Sequence, residues 1–178
     1  MKIKPIETEY GGYKFRSRLE ARWAVFFDAF GIKYEYEPEG FVFEDGTRYL
    51  PDFRIYVRHR PRWNDENVDE WRPVYVEVKG VLSSNDEHKI WLFSETEPII
   101  IVGDLPADSD EWFEQWNFDD HFNSFYYIDG DNYPAAFSKK NGIPWICGPD
   151  HDEWDCGTSM DKALLKARQA RFEHGEKP

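Results

Sequence analysis

Two acids and a lysine are the residues best suited to chemistry. Asp52 stands in "YLPDFRIY", residues 49–56, while Glu77 and Lys79 stand in "VYVEVKG", residues 74–80. In the first stretch Phe53, Ile55 and Val57 alternate with Arg54, Tyr56 and Arg58, the period of a strand with one buried face. In the second, Val74, Val76 and Val78 share one face, and Tyr75, Glu77 and Lys79 share the other. If the two strands pair, Asp52 comes to lie beside Glu77. Carboxylates at close range repel unless a cation lies between them. Mg²⁺ takes one or two carboxylates, with waters and substrate phosphate completing its shell. A neighbouring lysine can hold a hydroxide nucleophile or offset charge on a phosphorane-like transition state. Each residue also has a plainer account. Pro51 and Asp52 suit a strand entry, and Glu77 with Lys79 suits an ion pair on a solvated sheet face.

A third acid lies upstream. "RSRLEARWAVFFDAFGI" predicts a helix from about Ser17 to Phe30, with Leu19, Trp23, Phe26, Phe27 and Phe30 on one face and Gly31 as the stop. With Leu19 at zero on a wheel of ~100° per residue, the apolar arc spans roughly −20° to 80° and Glu20 falls near 100°. Glu20 therefore stands at the margin of the buried face, from which a carboxylate can reach over a sheet edge. Ser17-x-x-Glu20 is also a capping box, so Glu20 has a local occupation as well.

The elements that must position these residues follow from the pattern. "KYEYEPEGFVFEDGTRYL" reads as extended chain and a hairpin turning at "EDGT". Residues 58–73 read as a polar surface loop. "SSNDEHKIWLFSETE" suits a short helix with Ser84 as N-cap and Glu87 three residues on. "PIIIVGD" is a continuous apolar run, expected of a strand covered on both faces. Helix, hairpin, strand, strand, helix, buried strand describes a mixed sheet with helices packed on it. Beyond it, "SDEWFEQW" reads as helix and residues 125–147 as short strands turning at "DGD" and "KKNG". Residues 159–174 read as a helix capped at Thr158 and stopped at Gly175.

Composition bounds the reading. A chain of 178 residues that is 18% aromatic, with eight Trp, can build a substantial core in one domain. No apolar run approaches ~18 residues, and two cysteines make no disulfide framework, so a soluble protein of a reducing cytoplasm is expected. The net charge of −13 speaks against a generic nucleic-acid coat. That charge is uneven. Residues 1–60 carry 11 Lys/Arg against 10 Asp/Glu, and residues 61–178 carry 11 against 25. The acidity peaks in 104–131, with nine carboxylates and no Lys or Arg. A local grip on a polyanion stays open.

"PDF" at 51–53 followed by "EVK" at 77–79 resembles the PD-(D/E)XK nuclease superfamily. The helix "FRSRLEARWAVFFDAFGI" resembles the first helix of its small phage and bacterial members. The resemblance covers residues 13–103, with Asp52 and Glu77 separated by 25 positions. It implies an α/β, restriction-endonuclease-like α-β-β-β-α-β core with a central mixed sheet, to which residues 104–178 add short strands and a final helix. It implies Mg²⁺- or Mn²⁺-dependent hydrolysis of DNA phosphodiesters in a bacterial or phage-infected cell. By position, Asp52 and Glu77 become metal ligands, Lys79 the catalytic lysine, and Glu20 an aid to the metal. A junction-resolvase-like enzyme, which needs a homodimer where a simpler nuclease works as a monomer, is the nearest variant. A non-catalytic DNA-end or protein adaptor on the same fold is the other.

Further residues are candidates for contact with DNA. Arg16, Arg18 and Arg22 crowd the start of the first helix and can meet a phosphate beside the metal site, or simply face solvent. Lys89 can line the same cleft from the second helix. Lys162, Lys166, Arg168 and Arg171 place four positive charges and no acid on ten residues of the last helix. Cys147, His151 and Cys156 lack the fourth ligand and the short paired spacing of a structural zinc site. In 104–131, Trp112, Phe113 and Trp116 fit one helical face, either docked on the sheet or offered to a protein partner.

Overall fold

The computed structural model describes residues 7–59, 70–114, 124–128, 131–147 and 157–172. A short hairpin, β1 (Thr8–Tyr10) and β2 (Tyr13–Phe15), leads into helix α1 (Arg18–Phe30). Ser17 caps the helix, its hydroxyl accepting from the Glu20 N–H at 3.1 Å. Gly31 ends it at φ 80°, the left-handed conformation glycine adopts without penalty, and the Ile32 N–H then returns to the Phe27 carbonyl at 2.8 Å.

Strand β3 (Lys33–Tyr36) follows, then the hairpin β4 (Phe41–Val42) and β5 (Arg48–Tyr49), which turns at Asp45–Gly46 as expected. Strands β6 (Phe53–His59) and β7 (Glu70–Val78) pair antiparallel. Both run into the stretch expected to be loop, because their ladder continues from Phe53↔Val76 out to His59↔Glu70. Helix α2 (Ser84–Ser94) crosses over to β8 (Ile99–Val102), which lies parallel to β7. Its capping box is Ser83 with Asp86, one residue ahead of the pair expected at Ser84 and Glu87. Helix α3 (Ser109–Glu114) and the strands β9 (Ser124–Ile128), β10 (Asp131–Pro134), β11 (Ala136–Lys140) and β12 (Ile143–Cys147) precede helix α4 (Thr158–Gln169). That helix starts from Gly157, with no side-chain cap, and gives way to extended chain at Ala170, short of the expected Gly175 outside the described residues.

Eight of the described strands form one mixed sheet in the order β10-β9-β8-β7-β6-β12-β11, with β3 sharing the outer edge of β6, while β1–β2 and β4–β5 are separate two-stranded hairpins. The late strands therefore extend the same sheet at both sides. One face carries the larger core. Phe53, Ile55, Val74, Val76, Val78, Ile100 and Val102 pack there against α1 and α4. Trp23, Phe26, Phe27 and Phe30 are fully buried, each such ring contributing roughly 1.5–3 kcal/mol of transfer free energy. Ala21, Ala24 and Val25 lie outside the arc read from the wheel and are buried too, on a helix that packs against α4 and β1 as well as the sheet. The other face holds a second cluster of Tyr49, Tyr75, Ile90, Phe93, Ile99 and Ile101 under α2. Strand β8 feeds both clusters, as its uninterrupted apolar sequence requires.

The remaining expectations fall as follows. Trp112 of α3 is fully buried and donates from Nε1 to the Ala135 carbonyl at 3.4 Å, while Asp104, Asp108 and Asp110 are exposed, so this part of the acidic stretch docks through its tryptophan. Trp116, His151 and Cys156 lie outside the described residues. Among the described residues no helix is long and apolar enough to cross a membrane.

Candidate active site

The register of β6 on β7 brings the two acids together. Phe53 opposes Val76, so the next position sets Asp52 across from Glu77. Asp52 sits at the mouth of β6 with its Oδ2 accepting from the Val78 N–H at 2.8 Å. That bond ties the carboxylate to the neighbouring strand. Glu77 points to the α2 side, where Oε2 accepts from the Tyr49 hydroxyl at 2.8 Å and Oε1 meets Lys79 Nζ at 3.0 Å. The expected solvated sheet face does not exist here. The side chains of Asp52 and Glu77 are only 5% and 6% exposed, because the β4–β5 hairpin and α2 cover that side. Lys79, 31% exposed, stands between Glu77 and Asp86 of the α2 capping box, 3.5 Å away.

Glu20 arrives from α1 and performs the local task and more. Its Oε1 accepts from Ser17 Oγ at 2.7 Å, and its Oε2 accepts from the Tyr36 hydroxyl at 2.6 Å and the Arg16 N–H at 3.2 Å. The reciprocal box bond thus goes to Arg16 rather than to the Ser17 N–H. Arg16 itself turns back into the site. Its Nη2 donates to Asp52 Oδ1 at 2.6 Å, and its Nε meets Glu37 Oε1 at 2.8 Å. Arg54, the next cation along the Asp52 face, is taken up by Glu35 and Glu39.

Negative charge dominates this end of the sheet. Burial pushes the Asp52 carboxyl up to about 8, with the charges of Glu77 and Glu20 adding to it, and the Val78 N–H and Arg16 only partly opposing. Both carboxylates therefore act on Asp52, and one arginine does not neutralise them. Burial works against the Lys79 charge, but Glu77 with Asp86 and Asp52 outweighs it and holds the ammonium above its ordinary value. Burial and the neighbouring Glu77 likewise keep the Tyr49 hydroxyl protonated, a donor to that carboxylate.

Two buried, mutually repelling carboxylates at the end of paired strands fit a hard divalent cation of the Mg²⁺ or Mn²⁺ kind, which asks for one or two carboxylates and fills its shell with water. The side chains that could hold it directly are Asp52 and Glu77. Among the described residues no three His, Cys, Asp or Glu side chains are grouped to hold one ion. The expected third ligand, Glu20, is occupied by Ser17, Tyr36 and the Arg16 N–H, and it reaches Asp52 through its field.

The basic candidates divide. Arg16 belongs to the site. Arg18 and Arg22, each two residues from Glu20, stand ~200° around α1 from it, and both are half-buried beside the packed helices rather than solvated. Lys89 is half-buried one turn beyond Asp86 on α2. Lys162, Lys166 and Arg168 line the exposed side of α4, which packs on α1, and Arg168 donates to the Ala107 carbonyl at 3.2 Å. Arg171 is exposed past the helix end.

Sequence reasoning missed Tyr36, Glu37, Tyr49 and Asp86. Asp86 was findable as the third residue after Ser83, a capping position. The other three reach the site from 15 to 28 positions away, and no local signal marks them. Compared with protein-family models, with curated proteins and with solved structures, the chain matches none.

Proposed function

We propose that this protein is a divalent-cation-dependent nuclease of the PD-(D/E)XK kind, cutting DNA phosphodiesters at Asp52, Glu77 and Lys79. The observation that carries the reading is the joint burial of Asp52 and Glu77 on paired strands, with Lys79 Nζ 3.0 Å from Glu77. The element order supports it: with the separate β4–β5 hairpin set aside, α1, β3, β6, β7, α2 and β8 follow the α-β-β-β-α-β order that the sequence resemblance implies.

Asp52 and Glu77 would hold the Mg²⁺ or Mn²⁺, which when bound supplies an activated water and neutralises phosphoryl charge. The protein's own groups do the rest. The Val78 N–H and the Tyr49 hydroxyl fix the two carboxylates, so no reorganisation is needed as charge develops. Lys79, protonated beside Glu77, would offset charge building on the phosphorus. Attack of water on phosphorus with loss of the bond to the 3′ oxygen, which takes up a proton from solvent, would leave 5′-phosphate and 3′-hydroxyl ends. A panel of linear, circular, single-stranded and branched DNA, run with Mg²⁺ and with chelator, tests this reading. Cleavage that persists in chelator sinks it.

The second reading, a non-catalytic adaptor on the same fold, draws on Arg16, which already supplies Asp52 with a counter-charge. An adaptor has no reason to bind Mg²⁺, so metal titration separates the two.

A further inference from the structure

We infer that Arg16 is a positioning residue that sets the metal affinity of this centre, because a divalent ion reaches Asp52 by displacing the Arg16 guanidinium, which Glu37 then retains. The inference rests on the metal-dependent reading above.

Both oxygens of Asp52 are engaged. Oδ2 is bonded to the Val78 N–H, a backbone group fixed in the β6–β7 ladder. Oδ1 is bonded to Arg16 Nη2 at 2.6 Å, and that side chain is 56% exposed. An incoming cation therefore contests Oδ1 with a partner that can move. A guanidinium and a divalent ion on one oxygen repel strongly, so the two occupancies compete.

Glu37 is built to keep the displaced arginine near. It is one of two described non-glycine residues at positive φ, at 45°. Such a conformation costs free energy and persists where surrounding contacts enforce it. Here the Glu37 N–H donates to the Asp52 carbonyl at 2.8 Å. The same residue thus reads the Asp52 backbone and, through its carboxylate, holds Arg16 Nε at 2.8 Å. The Arg16 main chain is pinned as well, its N–H bonded to Glu20 Oε2 and to the Tyr36 hydroxyl at 3.1 Å. The main-chain end of Arg16 is fixed, and its exposed guanidinium, a rigid planar fork, leaves Asp52 by swinging as one unit about its stem, with Glu37 left beside it as its ion-pair partner.

Titration of Mn²⁺ into the full chain by calorimetry tests the inference. Arg16→Gln should tighten binding by roughly tenfold, about 1.4 kcal/mol. Lys14→Gln is the charge control: Lys14 lies two residues away and pairs with Glu7 at 2.7 Å. It should stay within about twofold of wild type, since a bulk charge effect would move both variants alike. Arg16→Lys keeps the charge but cannot span Glu37 and Asp52 with one planar fork, and should fall between. Circular dichroism establishes that each variant is folded, and Arg16→Lys carries the test if Arg16→Gln is not. If wild type binds Mn²⁺ and neither Arg16 variant binds more tightly, the inference is overturned and the metal centre stands. If no form binds Mn²⁺, the metal-dependent reading falls and this inference with it.

Discussion

Asp52→Asn keeps the side chain's shape and removes its titration. In the folded chain burial, with Glu77 and Glu20, pushes Asp52 up to about 8; in the unfolded chain it sits near 3.9. Between those values the folded state keeps a proton that the unfolded state has released. Stability therefore falls as pH rises through the window, by at most about 1.4 kcal/mol per pH unit, and levels off above the folded value. Asparagine has no such term. Its stability relative to wild type should grow by roughly 3 kcal/mol between about pH 5 and about pH 7. Set against this is a loss that does not vary with pH over that range: asparagine offers one acceptor oxygen where Asp52 accepts from both the Val78 N–H and Arg16 Nη2, so one of these bonds goes, at about 1–3 kcal/mol. The variant should thus start less stable in acid and gain on wild type as pH rises. Unfolding followed by circular dichroism in chelator, at four pH values, reads this directly. For a chain of this length 1 kcal/mol moves Tm by about 2–4 °C, so the gain should be on the order of 6–12 °C. Parallel curves, or an Asn variant that loses ground as pH rises, would refute the claim that burial, with Glu77 and Glu20 beside it, holds the Asp52 carboxyl protonated.

Three further outcomes are expected. Tyr49→Phe removes the buried donor from Glu77 Oε2 and should cost about 1–3 kcal/mol in urea unfolding with chelator present; an unchanged midpoint contradicts the buried bond. Trp23→Phe leaves the Gly103 carbonyl without its donor, now at 2.9 Å, and opens a gap beside Trp112, so a loss of about 2–4 kcal/mol is expected by the same method. Lys166→Gln, on the exposed side of α4, should leave Mn²⁺ affinity within about twofold, since the charge is solvated and screened.

Part of this architecture was legible in the chain. Ser17 and Gly31 mark the ends of α1 by their types alone, and the alternation in 53–57 and 74–79 fixes which side chains share a face. Once the strands pair, that alternation also brings Asp52 to Glu77. What lay hidden depends on coverage. The face carrying Tyr75 and Glu77 looks polar from its sequence, but α2 and the β4–β5 hairpin bury it, turning an ordinary surface pair into a desolvated one. Ala21 and Ala24 are too small to register as an apolar stripe, which is why the seam with α4 was invisible. Arg16 read as one basic residue among several; only folding brings its guanidinium across 36 positions to Asp52.

The central claim is that Asp52, Glu77 and Lys79 form a cation-dependent phosphodiester-cleaving centre. Cleavage of a labelled DNA duplex, measured alongside DNA binding for wild type and Lys79→Ala, tests it most directly. The account predicts that wild type cuts with Mg²⁺ or Mn²⁺ and stops in chelator, and that Lys79→Ala binds DNA as before while cleavage drops by at least about 10²-fold. Lys79→Ala cutting as fast as wild type would contradict it.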